Sequence, residues 1–156
     1  MKETKKILIA NRGVIAIRAL RAAKELGYKV ACVYSTVDKD QKHLKLSDEA
    51  ICIGPGPAKD SYLNEAAIIA AAELADVDAI YPGFGFLAEN ASFAEKCNQS
   101  GFKFIGPDPK VIEIMGDKIK AKDLVDSLGI PIVPGYSGDI TSNDQIKPIV
   151  KEIGYP

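Results

Sequence analysis

Short apolar segments alternate with helical patterns along the first two thirds of the chain, and this alternation is the strongest constraint on its fold. The first apolar segment, 6–10, is a continuous run typical of a sheet buried on both faces. A helical pattern at 14–26 follows it and leads directly into a second strand at 29–34. This strand–helix–strand unit requires a right-handed crossover and therefore a parallel sheet. The five predicted strands are 6–10, 29–34, 49–53, 78–81 and 103–105.

Five alternating units predict a doubly wound, Rossmann-like α/β domain over residues 1–107. Residues 108–156 have helical patterns and are expected to begin a second region. Asp117 is the predicted cap of a helix at 118–128. A last helical pattern ends at Gly154-Tyr155-Pro156, a position that we interpret as a cut rather than a natural finish. The apolar face of this last helix is formed by Ile146, Ile149, Val150 and Ile153. We therefore expect this face to lack its packing partner.

The bulk composition excludes several classes of protein. With 47% hydrophobic residues, 26% charged residues and a net charge of −1, the chain is typical of a globular protein. The sequence has no excess of basic residues that would predict nucleic-acid binding, and no apolar run in it is long enough for a membrane span. Cys32, Cys52 and Cys97 lie in apolar patterns, which predicts buried reduced thiols and a cytoplasmic location. The lone histidine, His43, is predicted at the surface, and no metal site is expected.

Ligands of open parallel sheets bind beyond the carboxyl ends of the strands, which here are followed by loops at 11–13, from Ser35 onward and at 81–86. The first loop contains only Gly13 of the three glycines that a dinucleotide fingerprint requires, and Arg12 would crowd a pyrophosphate. The sequence also has no Walker A pattern, no Gly-x-Ser-x-Gly elbow and no evident Ser/His/Asp set. We therefore do not expect a dinucleotide site or a serine hydrolase.

The third loop carries the most unusual residues of the chain. It reads Tyr81-Pro82-Gly83-Phe84-Gly85-Phe86 and leads to Glu89 and Asn90 at the start of a predicted helix. Glycines allow close backbone approach, and aromatic rings offer flat apolar walls, so the pattern favours a lip that faces a ligand. The alternative is that both phenylalanines only anchor the loop in the core.

Lys118 opens a predicted helix directly after Gly116-Asp117. A lysine at this position opposes the positive end of the helix dipole, which indicates a use in holding an anion such as a phosphate. The alternative is a solvated lysine in the first turn.

Six collinear stretches together resemble the N-terminal part of biotin carboxylase, and the resemblance covers nearly all of residues 5–156. The stretches are 6–13, 50–55, 61–64, 82–90, 104–107 and 115–118. The resemblance implies a pre-ATP-grasp domain followed by helices that lead into an ATP-grasp region. It also implies an ATP-dependent ligase that forms a C–N bond, found as a subunit or domain of acetyl-CoA, propionyl-CoA and pyruvate carboxylases.

Such enzymes use ATP with Mg²⁺ (or Mn²⁺) to activate bicarbonate as carboxyphosphate, and they then carboxylate biotin. The implied partners are the biotin carboxyl carrier protein, a carboxyltransferase and a second copy of the chain in a homodimer. By the same resemblance, Lys118 contacts ATP, and Gly83, Phe84, Gly85 and Phe86 form the loop that faces biotin and bicarbonate. Arg21 and Glu25 match positions at the homodimer interface. No catalytic residue and no metal-binding carboxylate of the family falls within these 156 residues.

The sequence departs from the family pattern at four positions. Val14 stands where the family usually has Glu, Tyr81 where it has His, Phe84 where it has Tyr, and Ala88 where it has Ser. The last two changes each remove a hydroxyl and predict fewer hydrogen bonds at the loop.

Because the lid and the catalytic residues of the family lie further along, we expect this chain alone to be inactive. One alternative is a non-catalytic α/β module that binds a small ligand or a partner. Another is a piece of a different ATP-grasp ligase, of the carbamoyl-phosphate synthetase or urea carboxylase type. The residues do not encode which carboxylase complex the chain would serve.

Overall fold

The computed structural model describes residues 5–133, 135–136 and 140–154, with the backbone alone at residue 152. The chain divides into two compact units, Met1–Glu113 and Ile114–Pro156. The first unit contains a five-stranded sheet with helices on both faces, and the second contains helices joined by extended segments.

The strands are β1 (Lys6–Ile9), β2 (Lys29–Tyr34), β3 (Glu49–Cys52), β4 (Ala79–Tyr81) and β5 (Lys103–Phe104). The helices are α1 (Gly13–Glu25), α2 (Lys42–Leu46), α3 (Glu65–Leu74), α4 (Ala91–Gln99), α5 (Pro109–Gly116), α6 (Lys118–Ser127) and α7 (Ile146–Ile153). Single 3₁₀ turns are formed by Thr36–Asp38, Ala58–Asp60 and Asn143–Gln145.

All strand pairs are parallel, and the order across the sheet is β3-β2-β1-β4-β5. The central strand β1 pairs with both neighbours, so that Ile7 lies between Val30 and Ala79. The chain winds outward from β1 in one direction through β2 and β3 and in the other through β4 and β5. The predicted α/β class with a doubly wound parallel sheet is confirmed, and the winding reverses between β1 and β4.

Side chains alternate across the central strand and supply two separate cores. Leu8 and Ala10 pack on one face against α3 and α4, where Ile68 and Phe93 are fully buried. Ile7 and Ile9 pack on the opposite face against α1. The α1 residues in this second core are Ala16, Leu20 and Ala23. Because both faces are covered near β1, the strand is apolar at each position from Ile7 to Ile9, unlike the alternating pattern of a strand with one wet face.

Side chains cap three of the described helices, and the cap predicted at Asp117 is confirmed. The side chain of Asn64 accepts a hydrogen bond from the Ala67 amide and caps α3. Asp117 caps α6 in the same way, and Ser142 forms a capping box with Gln145 before α7. The next helix, α4, begins after the Asn90 cap, and Leu87 is buried in the loop that precedes it.

Two predictions about single residues are also wrong. Cys52 is exposed, whereas Cys32 and Cys97 are buried as expected. Cys52 belongs to β3, which lies at the edge of the sheet, and of this strand only the face that carries Ile51 packs on a core. His43 is fully buried rather than exposed, because α2 lies against β2 and α1 and places the imidazole inside.

The second unit has few buried side chains among its described residues. Ile146 and Ile153 of α7 are about two-fifths exposed, at 39% and 40%, and Ile149 and Val150 are half-buried. The helix thus presents an incompletely covered apolar stripe, in line with the sequence-based expectation for this segment.

Candidate functional site

Asn11 connects the two loops that flank the reversal point of the sheet. It directly follows β1 and is 1% exposed. Its Nδ2 donates hydrogen bonds to the carbonyl oxygens of Pro82, at 2.8 Å, and Phe84, at 2.9 Å. Its Oδ1 accepts from the Arg12 amide at 2.8 Å. One buried side chain therefore fixes the loop after β4 to the loop after β1, where ligands of doubly wound sheets bind.

Gly83 makes this junction sterically feasible. Its φ is +73°, in the left-handed region, and a Cβ atom would lie 2.7 Å from Ile15 Cγ2 and 2.9 Å from Asn11 Nδ2. No side chain fits there without displacing Asn11 or Ile15. The sequence-based prediction that a glycine permits close backbone approach in this loop thus has a concrete basis at Gly83.

The two aromatic residues of the loop occupy different environments. Phe84 is 71% exposed and stands at the surface. Phe86 is half-buried, packs against the core of α3 and α4, and stacks on Tyr62 with ring centroids 5.0 Å apart. It also has a positive φ of +43°, which is unusual for an aromatic residue. Phe86 is therefore the anchor of the loop, and Phe84 is the residue that is free to meet a ligand.

Backbone donors of the loop are also without partners. The amide N–H groups of Gly83, Phe84 and Gly85 form no hydrogen bond with any residue in the described part of the chain. The next turn is closed locally, because the Ala88 amide donates to the Gly85 carbonyl at 2.8 Å. The exposed section of the loop thus combines an aromatic ring with amide donors that can bind a carbonyl or carboxylate oxygen.

Arg12 lies over the aromatic pair that anchors the loop. Its guanidinium carbon is 5.6 Å from the ring centroid of Tyr62 and 5.9 Å from that of Phe86. Its Nη1 is 3.4 Å from Asp38 Oδ1. The side chain of Arg12 is half exposed, at 50%. The cation is therefore held in place on one side and remains open to solvent on the other.

Asp38 is the buried centre of this cluster. Its Oδ2 accepts hydrogen bonds from Ser35 Oγ at 2.7 Å and from the Tyr62 hydroxyl at 2.8 Å. The Ser35 amide in turn donates to the Tyr62 hydroxyl oxygen at 3.1 Å. These contacts satisfy a buried charge that would otherwise be costly. We call the set Arg12, Ser35, Asp38, Tyr62 and Phe86 the Arg12 cluster.

The protonation states of the Arg12 cluster are fixed near neutral pH. Burial alone would raise the pKa of Asp38, but the hydrogen bonds from Ser35 and Tyr62 and the charge of Arg12 lower it below its usual value. Burial raises the pKa of Tyr62 to about 12. The cluster therefore holds a carboxylate and a neutral phenol, which makes it a rigid support rather than a proton-transfer group.

A cleft of about 420 Å³ lies between the two loops. Among the described residues that line the cleft, Arg12 supplies the only cationic side chain, and Phe84, Phe86, Val14 and Ile15 supply apolar walls. The residues that complete the lining are Asn11, Gly13 and Gly85. A cleft with apolar walls, free amide donors and one cation is suited to a flat, partly polar ligand that carries oxygen acceptors.

Three of the four departures from the family pattern lie at or near this cleft. Val14, in the first turn of α1, is 78% exposed and forms part of the rim together with Phe84. Ala88 is half-buried beside the loop, and none of the described residues that line the cleft is an alcohol or a carboxylate. Tyr81 points away, because it packs against the α1 core. The rim is consequently more apolar than the usual pattern implies.

Arg21 and Glu25 lie on the exposed side of α1 and border a shallow surface groove of about 300 Å³. They do not form an ion pair with each other or with another described residue, so both charges are available to a partner. Val14, Ile17, Arg18 and Ala22 complete the groove.

Lys118 is the first residue of α6, in the second unit, and its side chain is exposed. The Asp117 carboxylate caps the helix by accepting from the amides of Ile119 and Lys120, and these hydrogen bonds lower its pKa. Lys118 borders a cavity of about 400 Å³. The other lining residues are Met115, Gly116, Ala121, Lys122, Val125 and Ile132.

Within the described ranges, no three His, Cys, Asp or Glu side chains come together as a metal site. None of the helices described is long and apolar enough to cross a bilayer.

The family model for the N-terminal domain of biotin carboxylase matches residues 3–112. The chain belongs to this biotin carboxylase N-terminal domain family. It is 55% identical over 152 residues to a biotin carboxylase from Pseudomonas aeruginosa and 58% identical over 153 residues to one from Haemophilus influenzae. Each match covers 97% of this chain and 34% of the relative, so the chain spans about a third of the length of the curated biotin carboxylases that it matches.

Solved biotin carboxylase structures share this fold closely. A complex of the Campylobacter jejuni biotin carboxylase with beta-gamma-ATP superposes with a TM-score of 0.93 at 52% identity, covering 99% of this chain and 34% of that one. The biotin carboxylase domain dimer of Hydrogenobacter thermophilus 2-oxoglutarate carboxylase superposes with a TM-score of 0.92 at 46% identity. That match covers 100% of this chain and 34% of the other, and the dimer contains MgADP, ADP and bicarbonate. The resemblance derived from the six sequence stretches is confirmed, and the chain is homologous to ATP-dependent ligases.

The sequence pattern singled out the loop at 81–86 but did not reveal the residues that support it. Asn11 and Tyr62 were included only as members of matching stretches, Ser35 only as the start of a loop, and Asp38 was not singled out. Arg12 was considered only as an obstacle to a pyrophosphate. The available signal was that Asn11-Arg12 and Tyr62 lie within two of the six collinear stretches.

Proposed function

We propose that this chain is the N-terminal part of a biotin carboxylase, with residues 1–107 as the pre-ATP-grasp domain and 108–156 as the start of the ATP-grasp region. The complete enzyme uses MgATP and bicarbonate to carboxylate biotin on a carrier protein, through carboxyphosphate. Its partners are the biotin carboxyl carrier protein, a carboxyltransferase and a second copy of the enzyme. It works in the cytoplasm.

The observation that carries this proposal is the loop at the reversal point of the sheet. In a chain of this family, Asn11 fixes the loop at two carbonyls and leaves its free amides and the Phe84 ring at the edge of the cleft. Biotin has a flat ureido ring with a carbonyl oxygen, and bicarbonate carries oxygen acceptors, so both match what the cleft offers. In this role the chain's residues bind and orient the acceptor.

The Arg12 cluster keeps the binding surface rigid. The stacked pair Tyr62 and Phe86 anchors the loop from below, and the Asp38 carboxylate holds Arg12 over both rings. Rigid positioning of a bound acceptor lowers the entropic cost of a bimolecular transfer. Arg12 also supplies positive potential at the cleft, which favours an anionic co-substrate.

Lys118 binds a phosphate of ATP in this proposal. An ammonium group beside an apolar cavity fits a nucleotide, because the flat faces of its base pack on apolar side chains and its phosphates are anionic. Because no acidic cluster occurs among the described residues, the ligands for Mg²⁺ come from other segments of the enzyme. The chain alone is then inactive, and Arg21 and Glu25 contribute to the homodimer contact.

A chimera tests the proposed function. Residues 5–154 replace the matching segment of the Pseudomonas aeruginosa biotin carboxylase, and biotin-dependent ATP cleavage is measured with free biotin as the acceptor. We expect cleavage by the chimera and none by the isolated chain. A folded but inactive chimera would contradict the proposal, and micromolar binding of another small ligand by the isolated chain would favour a non-catalytic module.

A further inference from the structure

The start of α6 has an unusual concentration of positive charge. Three of its first five residues are lysines, Lys118, Lys120 and Lys122. Cations near a helix N-terminus oppose the helix dipole, and like charges four residues apart repel each other. Lys118 and Lys122 are four apart and share one side of the helix, whereas Lys120 lies between them on another side. The Asp117 carboxylate attracts Lys120, but no ion pair with a described residue offsets this cost for Lys118 or Lys122.

Both Lys118 and Lys122 line the same cavity of about 400 Å³. Met115, Val125 and Ile132 give this cavity apolar walls, and no carboxylate is among its lining residues. Neither lysine forms an ion pair with a described residue. The nearby Asp117 carboxylate is engaged in capping α6 and does not line the cavity.

The side chain of Lys122 is partly covered. It is half-buried, unlike that of the exposed Lys118. A Cβ atom built on Gly135 would lie 2.5 Å from Lys122 Nζ, so the ammonium group reaches the extended segment that follows Ile132. Lys122 is thus directed towards the segment that contributes Ile132 to the cavity, rather than fully into solvent.

We propose that Lys122 is a second phosphate-binding residue that acts together with Lys118 on one polyanion, with a nucleoside diphosphate or triphosphate as the ligand class. This inference rests on the proposed function, in which Lys118 contacts ATP. The apolar wall formed by Met115, Val125 and Ile132 suits the base, and the two ammonium groups suit the phosphate chain. Both lysines are flexible point charges, so both can converge on neighbouring phosphate oxygens.

The test is an NMR titration of the 156-residue chain with ADP at low ionic strength, without a metal ion, followed through the backbone amides of α6. We expect Lys122→Gln and Lys118→Gln each to weaken ADP binding about tenfold, as the loss of a charge-assisted contact does. Lys122→Arg should keep most of the affinity. Lys120→Gln is the matched control, on the same helix but off the cavity, and should change the affinity less than about twofold.

Two further probes separate the base from the phosphates. Inorganic tripolyphosphate should compete with ADP, and adenosine should bind more weakly than ADP and independently of Lys122. An unchanged affinity in Lys122→Gln, with a clear loss in Lys118→Gln, would overturn the role of Lys122 and leave the proposed function intact. If ADP at its highest soluble concentration shifts no amide resonance of α6, the role of Lys122 is also overturned. The proposed function is tested separately by the activity of the chimera.

Discussion

Asn11 and Phe84 are joined by a hydrogen bond of 2.9 Å, from the buried Asn11 amide to the carbonyl of the most exposed aromatic residue in the loop after β4. The bond links the two halves of a sheet that reverses its winding between β1 and β4. It leaves the Phe84 ring at the surface while fixing its backbone. The backbone of the candidate site is thus positioned by the buried side chain of Asn11.

Replacing Asn11 by Ala should destabilise the first unit by about 2–4 kcal/mol, since one buried and one partly buried carbonyl would lose their donor. Urea unfolding measures this loss, and hydrogen exchange should show faster exchange at residues 83–86. Asn98→Ala, at an exposed position on α4, is the control and should change the stability by less than about 0.5 kcal/mol. Equal stability of the Asn11 variant and the wild type would show that the two hydrogen bonds do not hold the loop.

Phe84 and Phe86 should respond oppositely to truncation. Phe86→Ala removes a ring stacked on Tyr62 and packed on the core, and should cost about 2–4 kcal/mol of unfolding free energy. Phe84→Ala removes an exposed ring and should leave the stability within about 0.5 kcal/mol of the wild type. Thermal and urea unfolding of the two variants test this division, and a large loss of stability from Phe84→Ala would assign Phe84 to the core instead.

Asp38 should contribute to stability above its unfolded-state pKa and lose that contribution in acid. Its pKa is lowered in the folded state from the usual value of 3.8, so the unfolded chain takes up the proton first as the pH falls. Stability should therefore decline as the pH falls below about 4 towards the folded-state pKa.

Asp38→Asn should lower the free energy of unfolding by about 2–3 kcal/mol at pH 7, because the buried hydrogen bonds lose their charged acceptor. It should also reduce the decline in stability as the pH falls below about 4. The measurement is the urea midpoint between pH 2.5 and 7. Asp40→Asn, at an exposed position two residues away, is the matched control. If the urea midpoint falls equally with pH in the wild type and in Asp38→Asn, Asp38 is not the source of the loss of stability in acid.

His43 provides a second, separate pH dependence. Its imidazole is fully buried, its Nε2 is 3.5 Å from the Val33 carbonyl, and its Nδ1 has no partner among the described residues. Burial lowers its pKa from the usual 6.5, so the unfolded chain binds the proton first as the pH falls. The neutral imidazole therefore favours the fold above pH 6.5, and this contribution declines as the pH falls through 6.5 towards the folded-state pKa.

His43→Leu should remove the pH dependence between 5 and 7 and stabilise the chain by about 1 kcal/mol at pH 7, since an unpaired buried nitrogen is eliminated. Because His43 is the only histidine in the chain, one imidazole resonance reports its titration directly. A wild-type imidazole that titrates at or above 6.5 would contradict the burial of His43.

The order of strands and helices was predictable because it depends on local patterns. The caps at Asn64 and Asp117 were equally accessible, since a side chain and the amides that it caps lie within three residues. The Arg12 cluster was not accessible, because its members come from four separate segments and meet only when the strand order brings β1, β2 and β4 together. His43 was misplaced for a related reason, as a five-residue helix carries too little periodicity to reveal its buried side.

The central claim is that the loop at Gly83–Phe86 faces biotin, and the most direct measurement is a Michaelis analysis of Phe84→Ala in the chimera with the Pseudomonas aeruginosa relative. We predict that KM for biotin rises about tenfold, as expected for the loss of an aromatic contact, while KM for ATP stays within twofold. An unchanged KM for biotin in an active chimera, or an equal rise in both constants, would contradict the claim.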